Sequence, residues 1–402
     1  MKGLCPLNKY VEYGLSRWIY YKYRNINKKY YDKSNESWIL IICRHPLGDT
    51  VVESSFIKNI ANNFRDYKIF VVCSKQNYNL LEKCPYIDKL VIYDSSCNKS
   101  FYTTNLKRIK NFAKKNYFDK NFEYALIPST CMAAIIEAWL AYFSGADKRI
   151  AYSENLNKKA HNEYMGMYDK FFSKILVGDV EQHEILSNND IVKAMKKNAE
   201  IELGYYIWTD DKDTEIAQRY MSNAGIEDNK LKVIVNLSTS QKSKDWPTEN
   251  YINLCNKLLQ KYNIKYILIG AGEMAGEYAD EFCKNIKETI NFVNKTTIRE
   301  TAEIMRQADF YLGGDTGPTH MAMACDVYGI AIYKSADDFD YEFNYSKRLY
   351  PMTSKIKMLN PKKAIPGCEH NGCDKNYAHC IKQISIDIVY KQMIKIIEDK
   401  IV

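Results

Sequence analysis

One apolar segment of the chain ends in glycines, an acidic residue and a hydroxyl-bearing residue. Residues 309–312 lead into Gly-Gly-Asp-Thr-Gly, and the helix predicted to follow carries His320 in its first turn. Glycines allow sharp turns and close approach to a ligand, and the free N–H groups at a helix start form an anion site. We expect Asp315 either to cap this helix or to accept a ligand hydroxyl. An ordinary strand–turn–helix joint is the alternative.

Two further segment ends carry groups that could act on a hydroxyl or a phosphate. A Gly-Asp pair ending in Asp49 follows the apolar run 38–43. A carboxylate in a closed cleft can take a proton from a hydroxyl, so Asp49 is a candidate general base, and a helix N-cap is the alternative. Ser-Thr-Ser at 238–240 and Lys244 follow the apolar run 233–237. Hydroxyls and a lysine are the parts of a phosphate site, and a polar surface loop is the alternative.

A fourth segment end is the Gly-Ala-Gly turn at 270–272. A carboxylate at Glu273 or Glu277, in the predicted helix beyond it, could bind ribose hydroxyls. The turn lacks the full Gly-x-Gly-x-x-Gly spacing, because residue 275 is alanine. It supports an alternative function, an NAD-dependent oxidoreductase or epimerase, against which the missing glycine counts. No P-loop, nucleophile-elbow or zinc-protease motif occurs in the sequence.

Strands alternating with helices must position these segment ends. The predicted strands are 38–43, 68–73, 89–93, 124–128, 149–152, 233–237, 266–269, 309–312 and 329–333, and the predicted helices are 50–64, 102–116, 132–143, 248–262, 273–286, 298–307 and 386–401. This alternation predicts an α/β protein with parallel sheets, which bind ligands at the carboxyl ends of their strands. A length of 402 residues favours two domains. We predict an N-terminal extension at 1–37 and two domains, at 38–215 and 216–402.

Composition limits the partners. The net charge of +8 suits nucleotides, phosphorylated sugars or an acidic lipid surface. No nucleic-acid-binding signature occurs, so we expect no nucleic acid partner. The sequence contains neither an apolar run of about 18 residues nor a secretory signal, so we expect a cytoplasmic protein. Its twelve cysteines are scattered, most of them in apolar stretches, and fit reduced thiols.

The segment 11–31 is rich in aromatic and basic side chains. It contains Trp18, Tyr13, Tyr20, Tyr21, Tyr23, Tyr30 and Tyr31, together with Arg17, Lys22, Arg24, Lys28 and Lys29. This combination suits a lipid headgroup layer, which predicts peripheral contact with the inner face of the plasma membrane. The alternative is a helix packed on the first domain with a solvated basic face.

Four segments together carry a family resemblance. They are Leu47-Gly-Asp49, Lys244-Asp-Trp-Pro247, Gly314-Asp-Thr-Gly-Pro-Thr-His-Met-Ala322 and the tail Cys368…Cys373…Cys380-Ile381. In order and spacing, roughly residues 38–400 resemble glycosyltransferase family 9, the ADP-heptose:LPS heptosyltransferases. Val52-Glu-Ser-Ser55 departs from the family, which usually has a proline there.

The resemblance implies a GT-B fold, two Rossmann-like domains facing across a cleft, with 38–215 on the acceptor side and 216–402 binding the nucleotide-sugar donor. It also implies an inverting transfer from a nucleotide sugar, usually ADP-heptose, to a lipopolysaccharide or other cell-surface glycan, without a metal or other cofactor. Asp49 would be the base on the acceptor hydroxyl, and Lys244 would assist departure of the nucleotide. The remaining donor-binding residues would be Thr239, Ser240, Asp315, Thr316, Gly317 and His320 for the phosphates and sugar, and Glu273 or Glu277 for the ribose. A nucleotide-sugar-binding protein without catalysis is a further alternative, against which the presence of Asp49, Lys244 and Asp315 argues.

The cysteine tail has two interpretations. Cys368, Cys373 and Cys380, with His370 and His379 nearby, could hold a structural metal. Their spacing is not that of a standard zinc site and contains no Cys-x-x-Cys pair, which favours packed free thiols.

Overall fold

The computed structural model describes most of the chain as two compact units, residues 1–204 and 205–402. The described residues are 6–23, 35–94, 101–129, 135–156, 167–179, 181–225, 229–334, 348–363, 365 and 379–401, without the side chains of 6–12, 101–105 and 401. The division between the units precedes residue 215, where the sequence analysis placed the domain boundary.

The first unit is built on a parallel sheet of six described strands. The strands are β1 Ser37–Cys43, β2 Lys68–Cys73, β3 Lys89–Ile92, β4 Asn121–Leu126, β5 Lys148–Tyr152 and β6 Lys174–Leu176, in the order β3-β2-β1-β4-β5-β6. The helices are α1 Pro6–Lys22, α2 Leu47–Val52, α3 Ser54–Asn63, α4 Lys75–Leu81, α5 Phe101–Asn116, α6 Ile135–Phe143 and α7 Glu184–Met195. Strand β1 lies in the middle of the sheet and is buried from Trp38 onward. A central parallel strand covered on both faces requires such a continuous apolar run.

The second unit repeats this architecture. Its strands are β7 Leu231–Val235, β8 Ile264–Leu268, β9 Thr289–Asn291, β10 Phe310–Gly314, β11 Tyr328–Ile332 and β12 Ile356–Leu359, in the order β12-β11-β10-β7-β8-β9, all parallel. The helices are α8 Asp211–Asn223, α9 Thr248–Leu259, α10 Glu273–Asn285, α11 Ile298–Arg306, α12 Gly317–Ala324 and α13 Ile386–Ile401. Strands β7, β8 and β10 are neighbours, so the loops after their carboxyl ends lie side by side.

The predicted α/β class with parallel sheets is confirmed, with local differences. The helix predicted at 50–64 is two helices, α2 and α3, with Glu53 between them. The short strands β6, β9 and β12 were not predicted. The first residues of the helix predicted at 132–143 lie outside the described residues, and α6 begins at Ile135.

Several features of composition can be examined in the described residues. None of the described helices combines the length and the apolar character needed to cross a bilayer. Cys43, Cys73, Cys84, Cys255 and Cys325 are buried free thiols. Cys368, His370 and Cys373 lie outside the described residues, and within the described ones no three acidic, His or Cys side chains form a metal-binding group. The two interpretations of the cysteine tail therefore stay predictions.

Candidate functional site

Three loops of the second unit converge beyond the carboxyl ends of β10, β7 and β8. Lys244, in the loop after β7, places its Nζ 2.8 Å from Oδ2 of Asp315, which follows β10. A Cβ atom added to Gly314 would lie 2.9 Å from Cγ2 of Thr239, so the β10 turn and the β7 loop are in close contact. A Cβ atom at Gly270, after β8, would lie 3.6 Å from Nδ2 of Asn236, at the end of β7. Three of the predicted ligand-binding joints thus form one region.

The Lys244–Asp315 ion pair is the main charged feature of this region. Both side chains are largely buried, with 22% and 12% of their surface exposed. Lys244 ends a short 3₁₀ turn, Lys242–Lys244. The expectation that Asp315 caps the following helix is wrong: the N-cap is Thr316, and Asp315 directs its carboxylate to Lys244 instead. The pair places a partly buried cation beside a helix N-terminus, an arrangement that favours an anionic ligand.

The start of α12 is fixed to the end of β10 by hydrogen bonds. The Thr319 hydroxyl donates to the carbonyl of Gly314 at 2.6 Å and lies 2.9 Å from the Tyr311 hydroxyl. Thr316 and Gly317 are half-buried at the helix start. His320 is buried, with its ring 6.5 Å from that of Tyr205. The predicted residues of this turn therefore sit on a rigid joint.

The loop after β7 is held by its own side chains. The backbone N–H of Thr239 donates to Oδ1 of Asp245 at 2.7 Å, and the Thr239 hydroxyl donates to the carbonyl of Gln241 at 2.9 Å. Ser240 is exposed. Trp246 is buried and donates from Nε1 to the carbonyl of Ile384 at 2.9 Å, which anchors the loop. The Thr239 N–H and hydroxyl are thus engaged within the loop, and phosphate binding by Thr239 and Ser240 stays a prediction.

Sequence reasoning did not single out Asp245, which organises this loop. Burial raises the pKa of Asp245, while the Thr239 N–H and the Tyr278 hydroxyl, 3.3 Å away, oppose that rise. Lys334, two residues after β11, was also missed. Its Nζ lies 3.3 Å from the hydroxyl of Ser243 and brings a second cation to the loop. The signal for Lys334 would have been its position just after a predicted strand.

The Gly-Ala-Gly turn after β8 has the backbone that only glycine adopts readily. Gly270 and Gly272 have φ values of 145° and 103°. The side chain of Asn294 binds both the N–H and the carbonyl of Gly272, at 2.7 and 3.1 Å. Glu273 and Glu277 are both exposed on α10. Ribose binding by Glu273 or Glu277 stays a prediction.

Asp49 lies in the first unit, in the first turn of α2, and is half-buried. The alternative that Asp49 is the N-cap is wrong, because the helix is capped by Pro46 without a side-chain hydrogen bond. Asn77 clamps the preceding loop: its Nδ2 donates to the carbonyl of His45 at 2.6 Å and to the Thr50 hydroxyl at 2.7 Å. The backbone that presents Asp49 is therefore held from α4.

Two buried ion pairs, which sequence reasoning missed, flank this loop. Arg44 pairs with Glu137 of α6, and His45 pairs through Nδ1 with Glu53. Burial alone would lower the pKa of His45, but the carboxylates of Glu53, Asp49 and Glu137 raise it to about 9. His45 is therefore a cation at neutral pH, close enough to Asp49 for the two charges to interact. No local pattern signalled Glu53, which the periodicity placed inside a continuous helix.

Comparisons with known proteins agree with this architecture. The family model for glycosyltransferase family 9 (heptosyltransferase) matches residues 132–363, more than half of the chain. Lipopolysaccharide heptosyltransferase 1 of Campylobacter coli is 20% identical over 383 residues, which cover 90% of this chain and 99% of that protein.

Solved structures show the same fold. The glycosyl transferase family 9 structure from Veillonella parvula superposes with a TM-score of 0.71 at 16% identity, covering 90% of this chain and 97% of that one. The ADP-heptose lps heptosyltransferase II of E. coli superposes with a TM-score of 0.67 at 14% identity, covering 90% and 99%. The GT-B fold implied by the sequence resemblance is confirmed.

Proposed function

This chain belongs to glycosyltransferase family 9 (heptosyltransferase), and on that premise we propose that it transfers a heptose or related sugar from an ADP-activated donor to a lipopolysaccharide or other cell-surface glycan. It is a glycosyl-transferring enzyme. The names of the Campylobacter coli and E. coli relatives support the lipopolysaccharide acceptor, and that of the E. coli enzyme supports the ADP-heptose donor. The observation that carries the proposal is the partly buried Lys244, which the loop after β7 brings to Asp315, directly before the N-cap of α12.

On the donor side, departure of ADP requires stabilisation of developing negative charge. Lys244 supplies a cation for the diphosphate, and the first turn of α12, with Thr316 and Gly317, supplies N–H groups. In this proposal Thr239 and Ser240 contribute to the phosphate site, and Asp315 and His320 contact the phosphates and sugar. Glu273 or Glu277 binds the ribose. A diphosphate that binds Lys244 must compete with, or share, the carboxylate of Asp315.

On the acceptor side, Asp49 is the proposed general base. It takes the proton of the acceptor hydroxyl as that oxygen attacks the anomeric carbon. The bond from that carbon to the diphosphate oxygen breaks, and its electron pair leaves with ADP. The clamped loop from Arg44 to Pro46 supports this role, because a base must be held within reach of its proton. The proposal assigns no step to a metal or another cofactor.

The location and partners of the enzyme are part of the same proposal. A cytoplasmic position at the inner face of the plasma membrane would bring it to a lipid-linked acceptor. Nucleic acid has no role in it. Contact with the membrane through the N-terminal segment depends on the surface of α1.

The donor is tested by thermal stabilisation with ADP, UDP, GDP, CDP and NAD. A ligand at about 100 times its Kd stabilises the folded protein by about 2.7 kcal/mol. Stabilisation by ADP alone among the diphosphates is the expected result. A preference for another diphosphate would replace the ADP donor, and stabilisation by NAD alone would overturn the proposal.

The base is tested by Asp49→Asn, with the exposed Asp66→Asn of the same unit as the matched control. We expect Asp49→Asn to reduce transfer by at least 100-fold, the lower range for a lost acid–base group, with the Kd for ADP unchanged. Asp66→Asn should leave both intact. Turnover of the Asp49 variant within a few fold of the parent would remove Asp49 from the mechanism.

A further inference from the structure

We propose that the outward face of α1, together with adjoining lysines of α5, binds the anionic headgroups of a lipid bilayer. This basic aromatic surface is defined by Tyr13, Arg17, Trp18, Tyr21 and Lys22 of α1 and by Lys107, Lys110 and Lys114 of α5. The inference goes beyond sugar transfer and does not depend on the identity of the donor.

The inner face of α1 fixes the helix on the first unit. Ser16 and Ile19 are buried, and Ile19 belongs to the apolar core of that unit. The Tyr142 hydroxyl donates to the carbonyl of Tyr20 at 3.0 Å. The Tyr20 ring lies edge-on to that of Phe171, with 6.2 Å between their centroids. The alternative of a helix packed on its domain is thus confirmed for the described part of the segment, and that packing determines which side chains face outward.

The outer face carries large aromatic side chains that remain exposed. The exposed fractions of Tyr13, Trp18 and Tyr21 are 41%, 45% and 53%. Lys22 places its Nζ 4.3 Å from the centre of the Trp18 ring, and the Arg17 guanidinium lies 5.9 Å from that of Tyr21. The exposed rings of Trp18 and Tyr21 therefore each have a cation beside them. Rings with an apolar body next to a cation are the side chains that prefer the headgroup layer.

A second row of cations continues the surface on α5. Lys110 donates from Nζ to the Tyr23 hydroxyl at 2.8 Å, and the Tyr23 ring lies 5.8 Å from that of Trp18. Lys107 and Lys114, three residues before and four residues after Lys110, are exposed on the same side of α5. The aromatic face of α1 and the basic row of α5 thus form one continuous surface.

The charge of this surface has a single sign. Residues 13–23 and 101–116 together contain seven Lys or Arg and no Asp or Glu, whereas the whole chain has 57 basic and 49 acidic residues. Each basic side chain near an anionic bilayer strengthens binding by about 1 kcal/mol, which is about fivefold. Several cations and two or three interfacial rings therefore suffice for reversible attachment without a spanning helix.

The geometry of the rings favours lipid over single-stranded nucleic acid. Trp18 and Tyr23 are inclined at 82°, and Tyr20 and Tyr21 at 80°. Bases stack on rings that offer parallel platforms. Insertion into a headgroup layer does not require the rings to be parallel, so perpendicular rings can each insert an edge.

The test is sedimentation of the full chain with vesicles at low salt, without nucleotide. Vesicles of phosphatidylcholine with about one-third anionic phosphatidylglycerol should bind the protein, and vesicles of phosphatidylcholine alone should not. Lys107→Ala/Lys114→Ala should weaken binding about 25-fold at fivefold per charge. The control Lys391→Ala/Lys395→Ala removes the same charge from exposed positions of α13 and should change binding less than twofold.

The aromatic part is tested by Trp18→Ala, matched with Ile388→Ala, which shortens an equally exposed apolar side chain on α13. Trp18→Ala should weaken vesicle binding at least fivefold. Brominated lipid should quench part of the parent's tryptophan fluorescence, and Trp18→Phe should abolish that quenching.

Three results would each overturn the proposal: no binding to anionic vesicles, equal effects of the test and control variants, or quenching that persists in Trp18→Phe. Tighter binding to a single-stranded oligonucleotide than to anionic vesicles would also overturn it. Circular dichroism establishes that each variant is folded. Neither the lysine test nor the tryptophan test requires transferase activity.

Discussion

The buried His45–Glu53 pair makes the stability of the first unit depend on pH in a specific direction. Both side chains are nearly inaccessible, with 3% and 1% exposed. The carboxylates facing His45 are Glu53, Asp49 and Glu137, and together they overcome burial and raise its pKa from 6.5 to about 9. A raised folded-state pKa means that the folded protein binds the proton more tightly than the unfolded chain does.

The sign and size of the effect follow from that shift. The stabilisation is fully present below about pH 6.5 and is lost as the pH rises through about 9. A shift of this size corresponds to about 3 kcal/mol, at about 1.4 kcal/mol per pH unit between the two pKa values. Glu53→Gln removes the partner and leaves His45 buried without its carboxylate. At pH 6 we expect this variant to be about 3 kcal/mol less stable than the parent, in the range for breaking a buried pair.

The assay is urea unfolding at pH 6, 7.5 and 9.5, with the His45 ring titrated by NMR and assigned with His45→Gln. The difference between parent and Glu53→Gln should shrink steadily from pH 6 to 9.5. The control is Glu398→Gln, which breaks the exposed pair with Lys261 and should barely move the urea midpoint at any pH. A His45 pKa at or below 6.5, or a Glu53→Gln deficit that is equal at pH 6 and 9.5, would refute the reasoning.

Two further predictions concern the second unit. Lys244→Ala should weaken ADP binding by about 1.5–3 kcal/mol, the range for a charge-assisted contact, whereas the exposed neighbour Lys242→Ala should not; equal affinities by calorimetry would remove Lys244 from the site. Gly314→Ala would place a methyl group 2.9 Å from the stiff side chain of Thr239, so we expect at least a tenfold loss of ADP affinity. Gly276→Ala, whose new atom would come no closer than 3.6 Å to its neighbours, should bind ADP normally.

Buried apolar runs made the central strands predictable. Of the edge strands, β3 was predicted, whereas β6, β9 and β12 gave no comparable signal. Strand β1 is buried almost throughout, so its sequence is a continuous apolar run. The three-residue strands β6 and β9 are partly exposed. In β12 Ile356 is buried, Lys357 is exposed, and Met358 and Leu359 are half-buried. Short strands at or near a sheet edge bury too little side-chain surface to impose a pattern.

The helix caps show where local rules failed. Asp49 and Asp315 are the residue type that caps helices, and each stands near a helix start. Neither is the N-cap: Pro46 and Thr316 occupy those positions, and no cap side chain bonds the helix in either case. For Asp315 the reason is physical, because Lys244 offers the carboxylate a charged partner that a cap would not. A cap motif shows that an acidic side chain could accept a hydrogen bond from the helix N-terminus beside it. It gives no information about a cation that is distant in the sequence.

The positions of Lys244 and Asp315 after predicted strands could be seen in the sequence, and the order of those strands explains why the two residues meet. The His45–Glu53 pair has no such sign in the sequence. Lys244 and Asp315 are 71 residues apart, but each follows a predicted strand, and those strands, β7 and β10, are neighbours. Their loops must therefore meet, although the sequence does not reveal that the two side chains bind each other. Glu53 lies where the predicted continuous helix is interrupted between α2 and α3, and no sequence pattern indicates its pairing with His45.

The Lys244–Asp315 pair also changes the meaning of an affinity measured at this site. In the structure Lys244 already has a carboxylate partner at 2.8 Å, so a diphosphate that binds it must displace or share that carboxylate. The measured binding free energy is then that of the contact between Lys244 and the phosphates, reduced by the free energy needed to loosen the ion pair. The loss caused by Lys244→Ala consequently understates the direct contact between lysine and diphosphate, because the variant also loses the competing pair. A modest loss in that variant is therefore compatible with a strong contact, whereas no loss at all is not.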